Sequence, residues 1–300
     1  MPIKLRLIAL YNYISEQYNT HLRFFCQRFS NNSNEGKFSD AEILTCYFFS
    51  IIEEQRFKIK EIHRFILNYW GDWFPDIPSY QAFSKRLNRL ESTLPLLVNN
   101  LIKTLLGNHD LNQTDRLIDS MPIILSKGDT KGKIASSIAD KTYSASKKIY
   151  YYGVKLHMIS IRAIDKMPIP ELIGVTSASE HDLTAVRNAL TSLNNCKVFA
   201  DKAYVDQEFE IFLEKNKNVS LLTPEKLKKG ESSLYRKFAQ AFRKKWGKAV
   251  SNIRQPIEVF FNWLIEKTNI QNASKVRSEK GLMVHIYGKL ASSLLILANF

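Results

Sequence analysis

The sequence predicts an α/β protein, with a mixed central sheet flanked by helices and an all-helical N-terminal domain before it. Three observations lead there. Apolar residues recur at helical spacing through roughly the first hundred positions. After Asp115 the pattern changes to apolar runs of strand length, and from Asp182 strands alternate with helices. The expected boundary separates a helical domain over 1–110 from an α/β domain over 111–300.

Residues 3–18 carry Leu5, Ile8, Ala9, Tyr11 and Ile14 at helical spacing. A polar loop from Asn31 to Gly36 follows. Ser39 is the expected N-cap of the next helix, with Glu42 at the capping-box position. Two further helices are expected over 58–68 and 79–90, joined by a connector from Gly71 to Pro78. That pair is helix-turn-helix-like, and its second helix shows Lys85, Arg86 and Arg89, cations of the kind that reach phosphates and base edges. The connector is longer than that motif's usual turn, and a bundle helix with a solvated face reads the same way.

Strands are expected over 116–125, 150–161 and 170–176, the last two antiparallel, with the second alternating as a half-buried strand. A helix over 182–193, a strand over 197–200, a helix over 206–216 and a short strand over 219–222 complete the sheet. A basic helical stretch follows, and Glu258, behind Pro256, opens the next helix. If the first three strands form a meander and the fourth joins parallel to the first, Asp119 and Asp201 lie on neighbouring strands.

Charge narrows the function. The 300 residues hold 43 Lys+Arg against 29 Asp+Glu, a net +14 that suits a polyanionic partner. Eleven of those cations and three Glu fall between Glu214 and Lys248, with Tyr235, Phe238, Phe242 and Trp246 expected to anchor the stretch to the core. Cys26, Cys46 and Cys196 lack CxxC spacing, so neither a disulfide framework nor a zinc site is supported, and reduced thiols of a cytoplasmic protein are expected. The N-terminus turns polar too soon for a signal peptide, and no apolar run is long enough for a membrane span.

Asp119 ends one apolar run, Asp201 ends another, and Glu258 sits on a helix. Hard carboxylate oxygens suit Mg²⁺ or Mn²⁺, and two such ions can activate an attacking oxygen and stabilise a leaving one. In that arrangement Asp119 bridges two ions, with Asp201 and Glu258 flanking. Each acid alone reads as a turn or cap residue; their joint placement carries the argument.

Five motifs then fall in order: Leu117-Ile118-Asp119-Ser120, Tyr152-Gly153-Val154-Lys155-Leu156-His157, Ala200-Asp201-Lys202-Ala203-Tyr204, Leu222-Thr223-Pro224, and the run from Arg254 to Leu264. In these the chain resembles the DDE transposases of bacterial insertion sequences, most closely the branch numbered nine-eighty-two, with a ribonuclease-H-like catalytic domain. The acids are spaced by 82 and 57 residues, which leaves no room for a large insertion domain. The resemblance implies Mg²⁺-dependent nicking at transposon ends, attack of the freed 3′-hydroxyl on target DNA, double-stranded DNA as partner, and a homodimer in the synaptic complex. Two departures mark this chain. Ser251 and Ile265 stand where related elements often carry Tyr and Lys, with Lys267 nearby, and Ala203 replaces a glycine.

Lys202 is a candidate phosphate contact, and Arg254, one helical turn before Glu258, is expected to share its face and to contact DNA phosphate or orient the carboxylate. Lys155 and His157 share a strand face, Lys155 as a DNA contact and His157 as a structural histidine. Asp182 is expected to cap the following helix. A nuclease without strand transfer and a catalytically decayed DNA-binding remnant are the rival readings.

Overall fold

The computed structural model describes residues 1–26, 37–107, 114–128, 132–144, 147–163, 166–224 and 233–300, with backbone alone over 233–241. The expected polar loop at 31–36 and the side chains of Tyr235 and Phe238 lie outside the described residues. In order, the elements are α1 (Ile3–Gln17), α2 (Asp40–Glu54), α3 (Ile59–Tyr69), α4 (Tyr80–Arg89), α5 (Leu94–Gly107), β1 (Asp115–Lys127), β2 (Asp140–Ser144), β3 (Ile149–Ile161), β4 (Ile169–Ser177), α6 (Asp182–Ser192), β5 (Cys196–Phe199), α7 (Gln207–Lys217), β6 (Val219–Leu222), α8 (Ser233–Thr268) and α9 (Glu279–Leu297). The chain divides into two compact units, Met1–Gly107 with Leu264–Phe300, and Asn108–Trp263.

The first unit is helical. Ser39 caps α2 in a full capping box, its hydroxyl accepting from the Glu42 N–H at 3.1 Å while the Glu42 carboxylate takes the Ser39 N–H. On α1 the buried stripe is Leu7, Leu10 and Ile14, whereas Leu5, Ile8 and Tyr11 are exposed. Apolar residues occupy both faces of this helix, so packing against α2, not periodicity, selects the buried one. The C-terminal helix α9 packs on α5 and α2. Residues 264–300 therefore group with the helical unit and not, as the sequence boundary implied, with the α/β unit. Within them α9 is buried on nearly every face from Leu282 to Leu295, so it shows no one-sided stripe to betray its partner.

Among the described residues of the second unit, the six strands run β2-β3-β1-β5-β6, with β4 also on β3. β1, β3 and β4 are antiparallel, and β5 and β6 join β1 in parallel. The meander and the central place of β1 match the sequence expectation, and the arrangement is ribonuclease-H-like. β2 is the unexpected strand. It pairs with the first residues of β3 while β4 pairs with the rest, and its residues are mostly half-buried, which leaves no alternation to read. β3 is buried on both faces after its first two residues, not on one. Ile118, Val198 and Ala200 pack against Leu183, Val186 and Leu190 of α6 and Phe209 and Leu213 of α7.

At the crossing of β1 and β3 the backbones are close. A Cβ on Gly153 would meet the Ile123 carbonyl oxygen at 2.0 Å. Sheet backbone cannot move aside as a flexible side chain does, so Gly153→Ala is expected to destabilise by about 3 kcal/mol or more. A urea-unfolding midpoint checks this.

α8 is one 36-residue helix with Pro256 inside it, so Glu258 lies in mid-helix and not near a helix start. Proline removes one backbone bond, but Val250 before it and Ile257, Phe260 and Phe261 after it are all buried on one continuing stripe. That burial carries the helix through. Trp246 is tied down by its indole N–H to the Thr223 carbonyl at 3.1 Å, but Phe242, expected to anchor, is exposed.

Candidate active site

β1 and β5 bring the two aspartates level. Leu117 pairs with Phe199, and Asp119 and Asp201 each stand two residues further along these parallel neighbours. Ile118, Val198 and Ala200 face α6 and α7, so strand alternation turns Asp119 to the opposite face, with Asp201 continuing the same alternation just past β5. Asp201 opens a single 3₁₀ turn and accepts the Ala203 N–H at 2.7 Å. Ala203 has no positive φ, so this turn does not require the glycine it replaces.

α8 supplies the third acid. Arg254 donates through Nη1 to Asp119 Oδ2 at 2.6 Å and through Nη2 to Glu258 Oε1, one turn along the helix. Burial alone would lower the Arg254 pKa, but the charges of Asp119, Glu258 and Asp201 raise it. One guanidinium thus serves as counter-charge to all three carboxylates. Asp119 is pushed up to about 6 by burial, despite Arg254 and the Ser120 N–H, and the Asp201 charge pushes the same way. Burial and the Asp201 charge both disfavour its ionised form, a cost that a cation beside it would offset.

Behind Asp119 lies a second polar layer. Ser120 points the other way and donates to Asp182 Oδ1 at 3.0 Å, which also takes the Lys155 ammonium at 3.1 Å. Lys155 also donates to the Glu180 carbonyl at 2.6 Å. Its expected DNA contact therefore gains no geometric support: it lies on the Ser120 face, partly buried and committed to internal acceptors. Asp182 is the first residue of α6 and gives no cap; His181 is the N-cap, without a side-chain bond. The carboxylate is drawn to Ser120 and Lys155 instead. His157 is buried beside them, with Nε2 on Thr176 Oγ1 at 2.8 Å and its pKa lowered to about 4, chiefly by burial, so it is neutral and structural. Buried Tyr204 is raised well above the usual phenol range by burial and by the charges of Asp182, Asp119 and Asp201. Sequence reading missed this layer because Ser120 and Asp182 are 62 residues apart. Only the strand alternation at Ser120 hinted at it.

The remaining candidates divide. Lys202 is exposed next to Asp201. On α4, Lys85 and Arg89 are exposed, whereas Arg86 pairs with buried Asp40 at 2.7 Å and braces the helical unit. Lys267 pairs with its neighbour Glu266.

Residues 110–295 match the family model described as a transposase DDE domain. The chain belongs to the DDE transposases. Comparisons with curated proteins and with solved structures give no match. This transposase is therefore a nucleotidyl-transfer enzyme of a family that acts on DNA and uses divalent metal ions. Among the described residues no three acidic, His or Cys side chains stand together as a formed metal cage; Arg254 sits between Asp119 and Glu258 as their counter-charge. The donor set fits nonetheless: three carboxylates without sulfur or imidazole, sharing one positive charge, suit a hard cation. Asp119, Asp201 and Glu258 are the residues that would hold it. Among the described residues no helix is long and apolar enough to cross a membrane.

Proposed function

We propose that this transposase binds the ends of its insertion sequence and catalyses metal-dependent cleavage there, followed by strand transfer to target DNA. The observation that carries the reading is Arg254 bridging Asp119 and Glu258, with Asp201 level with Asp119 just past the neighbouring strand. When bound, two Mg²⁺ or Mn²⁺ ions would supply activation of the attacking oxygen and stabilisation of the leaving one. Asp119 and Asp201 are fixed by the sheet and by the Ser120 and Ala203 N–H groups, which hold the carboxylates in place before substrate arrives. Arg254, relieved of part of its load, is placed to take a DNA phosphate, and exposed Lys202 to take another. Lys85 and Arg89 on α4 are candidate contacts to the transposon end. The motif order supports the branch numbered nine-eighty-two, and joining two ends calls for a homodimer at synapsis.

The test is strand transfer. A duplex of the element's terminal sequence, ending in a 3′-hydroxyl, is incubated with supercoiled plasmid and Mg²⁺. Covalently joined product is expected. Cleavage of the duplex with no joined product would make the enzyme a nuclease and overturn the proposal.

A further inference from the structure

The helical unit contains a cavity of about 670 Å³, bounded by the start of α3, by α4, by the 269–278 turn and by the start of α9. It contains none of the three catalytic acids, so its role is separate from theirs. Lys58, Lys60, Lys275, Arg277 and Lys289 line it; Glu61 is the single acid among the lining residues and already pairs with Lys58 at 2.7 Å.

Lys289 is the unusual member. It is 2% exposed, and its ammonium donates to the Asn269 carbonyl at 3.0 Å and stands 5.4 Å from the Phe57 ring centroid. Among the described residues no carboxylate pairs with it. A buried ammonium with a carbonyl and a ring face as partners leaves donors and charge uncompensated, which folding alone does not favour. Burial pushes its pKa down to about 7, with no anion opposing the shift. A second orphan lines the same cavity: Asn88 Oδ1 is buried and accepts no hydrogen bond from any described residue. The cavity thus presents cations in want of an anion and an acceptor in want of a donor. Tyr47, Phe57 and Tyr80 add ring surface. The volume lies within the range of about 300–1,000 Å³ typical of small-molecule sites.

We propose that this cavity binds a single nucleoside phosphate unit, its phosphate on Lys289, Lys275 and Arg277 and its base or sugar donating to Asn88. A mononucleotide carries the anion together with base and sugar donors on one molecule large enough for the cavity, whereas inorganic phosphate, though its hydroxyls can donate, leaves most of the volume unfilled. The unit could arrive as a free nucleotide or as an unpaired terminal nucleotide of a DNA strand; the chemistry is shared.

Calorimetric titration of the full-length chain tests it with four probes: deoxyadenosine 5′-monophosphate, inorganic phosphate, a blunt hairpin duplex, and the same duplex with one unpaired 5′ nucleotide. Either the mononucleotide should bind, or the overhang duplex should bind more tightly than the blunt one; the first outcome assigns a free nucleotide, the second a DNA end. Charge-assisted bonds to phosphate are strong enough that Lys289→Met should weaken that binding by about tenfold or more. The same substitution should raise the melting temperature of the ligand-free chain, since it removes an uncompensated charge. The exposed pair Lys275→Gln with Arg277→Gln carries the same test should Lys289→Met fail to fold. Asp119→Ala should leave this binding unchanged, which separates it from the fate of the catalytic assignment. The proposal is overturned if wild type shows neither preference, if the variants bind as wild type does, or if inorganic phosphate binds as tightly as the mononucleotide.

Discussion

Asp119→Asn is expected to lower Mg²⁺-dependent DNA cleavage by about 10³-fold or more while the chain remains folded and bound to DNA. Metal-assisted stabilisation of a transferring phosphoryl group is worth several kcal/mol, and each ~1.4 kcal/mol is a factor of ten in rate. The amide keeps the size of the carboxylate but not its charge. Its effect on stability has the opposite sign to its effect on rate. Burial raises the folded pKa of Asp119 from 3.8 to about 6. Stability from this group is therefore fully present below the unfolded value and is lost as pH rises through about 6. The asparagine variant escapes that loss. Above pH 6 without metal, it should melt no lower than wild type, and the wild-type advantage on acidification to about pH 4 should shrink in the variant. Thermal melts at the two pH values, beside single-turnover cleavage at neutral pH, check both halves.

Arg254→Ala should do the reverse to stability. Its guanidinium is the counter-charge to Asp119, Glu258 and Asp201, and both it and Asp119 are mostly buried. Opposite charges about 4 Å apart are worth about 4 kcal/mol at the effective dielectric near a protein surface, and removing one partner leaves the others repelling. Glu258 is half exposed, so its share is screened. The metal-free variant should lose roughly 2–3 kcal/mol near pH 7.5, about 5–10 °C in melting temperature. The deficit should narrow as pH falls below about 6, where Asp119 takes up its proton, and on addition of Mg²⁺, which replaces the missing charge. A variant that melts as wild type does at every pH would show that Arg254 is not the counter-charge of this cluster.

The parts of the site legible in sequence are those fixed by short-range geometry. Asp119 and Asp201 each follow a short apolar run, and Arg254 and Glu258 are one helical turn apart; in the fold Asp119 lies inside β1 and Asp201 just past β5, level across the parallel pair, and the helical pair holds. What escaped depends on partners far along the chain. Whether α1 buries Leu7 or Leu5 is decided by α2. Pro256 marks a helix start by local rules, yet α8 passes through it because buried residues lie on both sides. The β2 strand has no alternation because it is mostly half-buried. Asp182 looks like a cap until β1 and β3 bring Ser120 and Lys155 to it. Nothing local to Lys289 marks it for burial, and only the fold shows it buried beside a cavity.

The central claim is that Asp119, Asp201 and Glu258 form a metal-dependent DNA-cutting centre. Its most direct test is cleavage of an end-labelled duplex carrying the element's own terminal sequence, in Mg²⁺ and in Mn²⁺, by wild type and by Asp201→Ala. Metal-dependent nicking at the element end is expected from wild type and none from the variant, with DNA binding retained in both. Wild type that binds without nicking in either metal, or a variant that cuts as wild type does, would contradict it.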